Sequence, residues 1–113
     1  MKIEFKARYV DDVFQTKIGN KHKIKLSNGE IINVATTKEG DLIYGTWWNV
    51  SDIDSGLLIV CYNPSPYDYL SKHTNNTERG ALLLAKDTLN FAIKDKQCSY
   101  KELLNKRFKN VEK

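Results

Sequence analysis

Residues 22–35 read "HKIKLSNGEIINVA" and decide how the first half of the chain folds. From His22 to Leu26 polar and apolar residues alternate, which is the period of a strand with one face buried. At 27–30, "SNGE" supplies the Asn-Gly pair that favours a tight hairpin turn into Ile31 to Ala35. An antiparallel hairpin is therefore expected here.

The pattern extends in both directions. Residues 2–10 set Ile3, Phe5, Ala7 and Tyr9 on one face and Lys2, Glu4, Lys6 and Arg8 on the other. After "TTKEGD" (36–41), read as a Gly-containing turn, Leu42–Trp48 forms a fourth strand, and "NVSDIDSG" leads into a fifth at Leu57–Tyr62. Beyond Tyr62 the period changes. Ser65, Pro66 and Asp68 suggest a short helical turn at 66–72. Leu82, Ala85, Leu89 and Ile93, widened by Leu84 and Phe91, define a helix over 77–94. Ser99 with Glu102 forms a capping box before a last helix with Leu104, Phe108 and Val111 on one side. The fold class is α+β: an antiparallel five-stranded meander or small curled barrel over 1–62, then two C-terminal helices within 63–113. With 113 residues the chain makes a single domain, 1–113.

Composition narrows the function classes. Hydrophobic residues at 41% and charged residues at 28% are globular values, so a packed core is expected. Eighteen Lys and Arg against 14 Asp and Glu leave +4, enough to favour phosphate or acidic partners. No apolar run approaches membrane-spanning length and "MKIEFKARYV" lacks a signal-peptide core, so a cytoplasmic, membrane-free location is expected. Two distant cysteines, Cys61 and Cys98, fit neither zinc nor a disulfide framework, and the Asn-x-Ser/Thr matches at Asn49 and Asn75 have no consequence without export. Neither a phosphate loop nor a metal spacing is present, so no cofactor and no metal are expected. His73, near Ser71, Thr74 and Asp68, forms no recognisable hydrolytic pattern, which argues against an enzyme.

Three features carry binding chemistry. Lys21, Lys23 and Lys25, with Lys17 close by, project ammonium groups from one strand face; they suit nucleic acid or an acidic protein, or they guard an exposed strand edge. Trp47 and Trp48 point to opposite faces, so one belongs to the core while the other, whichever it is, can stack on a ligand ring or enter a second core or subunit interface; Trp48 is taken into the candidate set. At the helix entrance, "HTNNTERG" gathers Thr74, Asn75, Asn76, Thr77 and Arg79. Asn75 with Glu78 reads as a cap and its acidic partner. The remaining polar side chains, and a cation at a positive dipole end, suit an oxygen anion bound by main-chain N–H groups. Gly80 allows close approach, and Tyr67, beside Tyr62 and Tyr69, supplies rings for a nucleotide base.

The order of elements, and the stretch "YDYLSKHTNNTER" at 67–79, resemble the phage-encoded Thoeris anti-defence proteins of the first type. The resemblance implies a homo-oligomeric sponge in the host cytoplasm that sequesters a cyclic ADP-ribose-type or other cyclic nucleotide without cleaving it. It assigns no residue. The candidate ligand set, Asn75, Asn76, Thr77, Arg79, Tyr67 and Trp48, comes from the cap, charge and ring arguments alone. The alternative is an anti-CRISPR-like inhibitor or nucleic-acid-binding module acting through Lys17, Lys21, Lys23 and Lys25.

Overall fold

The structure, a computed structural model, describes residues 1–10, 13–41, 45–62 and 77–111; of residues 9, 10, 41, 45 and 106–111 it describes the backbone alone. Five strands, β1 (Lys2–Val10), β2 (Val13–Lys25), β3 (Ile31–Asp41), β4 (Gly45–Asp52) and β5 (Leu58–Tyr62), are followed by α1 (Glu78–Lys96) and α2 (Tyr100–Val111). The strands pair antiparallel in chain order, β1-β2-β3-β4-β5, as a meander. The expected short helix at 66–72 lies outside the described residues.

The hairpin forms where its sequence places it: Lys25 faces Ile31 and Gly29 has φ 91°. Its strands are longer than the alternation suggested. β2 begins at Val13, nine residues before His22, and β3 continues through "TTKEGD" to Asp41, so that stretch is strand and not a turn. Polar side chains misled the reading because Thr36 and Thr37 are buried inside the fold. The fourth strand is likewise displaced, spanning Gly45–Asp52 in place of 42–48.

The sheet curls without closing into a barrel. In a flat five-stranded sheet the two edges stand about 19 Å apart, four spacings of about 4.8 Å. Here the Arg8 N–H donates to the Gly56 carbonyl at 2.8 Å, joining β1 to the turn before β5, although no ladder links the two strands. Gly56 makes that approach. Its φ of 74° is left-handed, and a Cβ there would strike the Lys6 carbonyl and lie 2.9 Å from the Arg8 nitrogen.

The two faces of the sheet have separate cores. On the helix side, Ile24, Ile32, Val34, Val50, Ile59 and Tyr62 meet Ala81, Ala85, Leu89 and Ile93 of α1 and Tyr100 and Leu103 of α2. On the inner side of the curl, Phe5, Ala35, Thr37 and Ser51 are buried around Gly19. A bulge between Val50 and Ser51 turns Ile59 into the helix-side core.

Both helices match their expected positions within two or three residues, with changes in detail. Thr77, not Asn75, is the α1 N-cap, its hydroxyl accepting from the Gly80 N–H at 3.1 Å. Gln97 ends α1 in the left-handed conformation, and the Cys98 N–H donates to the Ile93 carbonyl at 3.3 Å. Phe91 does not widen the buried stripe: it is 73% exposed, whereas Ala81, which the stripe omitted, is fully buried. Ser99 caps α2 through the Glu102 N–H at 3.2 Å, and the Tyr100 N–H donates to Glu30 of the hairpin at 2.9 Å. A carboxylate from β3's approach thus sits at the positive end of α2. Leu103 is the buried leucine of that helix, Leu104 packs part-buried against the same core, and the side chains of Phe108 and Val111 lie outside the described residues.

Candidate functional site at the α1 entrance

The strand parity of β2 and β3 sends Asn20, His22 and Thr36 to the helix side, where α1 begins. Glu78, first residue of α1, collects all three. Its carboxylate pairs with His22 Nε2, accepts from Asn20 Nδ2 at 3.2 Å and accepts from the Thr36 hydroxyl at 3.2 Å. Thr36 is buried while His22 and Glu78 are part-exposed, so the cluster is anchored below and open above. The carboxylate also complements the helix dipole, which offsets the unfavourable placement of Arg79 one residue on.

Next to this cluster, Lys38 pairs with Trp48 across β3 and β4, and its ammonium stands 6.0 Å from the indole centroid, within cation–π reach. Tyr62 faces Trp48 from β5 and lies under Gly80, where a Cβ would meet its ring at 2.9 Å. The helix can start this close to the sheet because residue 80 has no side chain. Burial pushes the Tyr62 phenol above its ordinary range.

The sequence-derived ligand set is divided by the structure. Trp48 is at the entrance and half-buried against the helix-side core; Thr77 and Arg79 are exposed in the first turn, Thr77 already serving as the cap. Asn75, Asn76 and Tyr67, like His73, lie outside the described residues. Glu78, Asn20, His22, Lys38 and Thr36 form no part of that set, since 56 residues separate His22 from Glu78 and only strand pairing reveals their meeting. One signal was present: the alternation that buries Ile24 also sends His22 to the helix side.

The lysines of the alternative reading do share a face, the one opposite α1. Lys21 pairs with Ala35, Lys23 with Asn33 and Lys25 with Ile31, and Lys17 forms an ion pair with Glu39. Lys23 and Lys25 are exposed where β2 runs past the start of β1, whose pairing ends at Lys2 opposite Asn20. Guarding that bare edge is a sufficient role for these two.

Among the described residues, no group of three His, Cys, Asp or Glu side chains could hold a metal ion, and no helix is long and apolar enough to cross a membrane. Cys61 and Cys98 are both free thiols. Comparisons with protein-family models, with curated proteins and with solved structures return no match to this chain.

Proposed function

We propose that the protein acts by binding alone, as a phage counter-defence protein that sequesters a cyclic ADP-ribose-type or other cyclic nucleotide signal at the α1 entrance. The observation that supports this reading is the convergence of a half-buried Trp48 ring, the Lys38 ammonium and the Asn20–His22–Glu78 cluster on one face. A nucleotide needs an aromatic surface for its base, hydrogen-bonding groups for the base edge and cations for its phosphates. In this arrangement the base stacks on Trp48 with its amino edge toward Glu78 and Asn20, and the phosphates lie toward Lys38 and Arg79. The Glu78 carboxylate repels phosphate, so the phosphates are held by side-chain cations more than by the helix end. Self-association would enlarge such a site, and the exposed Phe14 and Ile18 on β2 suit a contact between copies.

Calorimetric titration with cyclic ADP-ribose and cyclic dinucleotides tests the proposal, followed by denaturation and mass analysis of the released ligand. Saturable binding, intact release and at least tenfold weakening in Trp48→Ala are expected. Absence of saturable heat across the panel, or recovery of a cleaved product, overturns it. The lysine face supports a second reading, binding of a polyanion. That reading requires affinity to fall steeply with salt, and a flat salt dependence removes it.

A further inference from the structure

The curl of the sheet forms a part-open concavity of about 200 Å³ on the side away from α1, independent of the α1 entrance. Lys17, Thr37, Asn49, Ser51, Gly56 and Leu58 line it. Thr37 and Ser51 are 6% and 5% exposed, so their hydroxyls belong to the interior. Asn49 Oδ1 is buried with no hydrogen-bond partner, as is Asn33 Oδ1 on the same sheet face. Exchanging the oxygen and nitrogen of the amide leaves the difficulty in place, since a buried NH2 also needs a partner. Lys17 lines the same concavity, and its ammonium offers three donors and shares one with Glu39.

On the helix side the buried polar residues Thr36 and Asp52 each have hydrogen-bond partners, whereas Asn49 Oδ1 has none. Hydroxyls, an acceptor without a donor and a cation, gathered along one part-open concavity, match a small molecule carrying its own hydroxyl donors and one negative group. The volume is below that of drug-sized sites, so the occupant has about one ring. We propose that the inner concavity, where part-buried Asn49 and buried Thr37 and Ser51 meet Lys17, binds a small hydroxylated anion of the sugar-phosphate class.

The test is a nitrogen-resolved NMR titration of the full chain with ribose 5-phosphate, inorganic phosphate and ribose. Ribose 5-phosphate is expected to give saturable shifts at Lys17, Thr37, Asn49 and Ser51, the Asn49 side-chain amide included, with phosphate and ribose each at least tenfold weaker. Lys17→Gln should weaken ribose 5-phosphate roughly tenfold or more, the loss of one charge-assisted contact. Asn49→Leu, which keeps the charge, should abolish it, and Lys86→Gln on the exposed face of α1 should leave it unchanged. Ribose binding as tightly as ribose 5-phosphate would eliminate the anionic requirement and the proposal with it. So would shifts scattered over the surface lysines, an unshifted Asn49 amide, or folded Lys17→Gln and Asn49→Leu variants that bind as the parent does.

Discussion

Replacing Gly56 by alanine puts the curl of the sheet to a quantitative test. Two costs are separable. The first is conformational: at φ 74° an L-residue is disfavoured by about 1 kcal/mol. The second is steric and specific to this position. The new Cβ meets the Lys6 carbonyl and stands 2.9 Å from the Arg8 nitrogen, and both are backbone atoms that no rotamer change can move. Relief requires β1 to withdraw, which breaks the 2.8 Å bond from Arg8 N–H to the Gly56 carbonyl at about 0.5–1.5 kcal/mol and disturbs the packing of Phe5 on Gly19. The conformational and hydrogen-bond costs alone give about 1.5–2.5 kcal/mol, and for a chain of this length a fall in Tm of roughly 8–15 °C. Gly29→Ala supplies the control. It shares the positive φ, at 91°, but its Cβ would have no atom within 4 Å, so only the conformational cost of about 1 kcal/mol applies. Thermal denaturation of both variants, followed by circular dichroism, isolates the contact. Equal Tm losses in the two would refute the claim that β1 and the β4–β5 turn touch through Gly56.

Two further outcomes follow from buried polar groups. Asn49→Leu removes an amide oxygen that has no partner and should raise stability by about 1–3 kcal/mol in urea denaturation without ligand, while eliminating ribose 5-phosphate binding. A destabilised but folded variant would show that Asn49 is held by contacts of its own. Tyr62 gives a pH dependence. Its folded-state pKa lies above the unfolded value near 10.0, so its contribution is fully present below pH 10 and is lost as pH rises through the folded-state value. Denaturant midpoints measured from pH 8 upward should therefore fall beyond pH 10 in the parent and less steeply in Tyr62→Phe; identical slopes would contradict the assignment.

What the sequence determined by itself is the content carried by near neighbours. The alternation on either side of Asn28-Gly29, the Ser99 cap and the apolar spacing of Ala85, Leu89 and Ile93 each act over a few residues, so element types and the meander order follow directly from the chain. Boundaries failed where buried polar residues imitated a turn, as Thr36 and Thr37 do inside β3. Tertiary structure alone decided which side chains meet at the candidate sites. Glu78 was legible as the acidic partner of a local cap, yet it bonds to Asn20, His22 and Thr36, from 42 to 58 residues away. Gly56 was legible as a turn glycine, yet its consequence is the approach of β1, 48 residues earlier at Arg8, and with it the polar concavity around Asn49. Local chemistry fixes backbone conformation through neighbouring atoms. Which side chains then share a cavity depends on sheet register and curl, which arise only when distant segments close on one another.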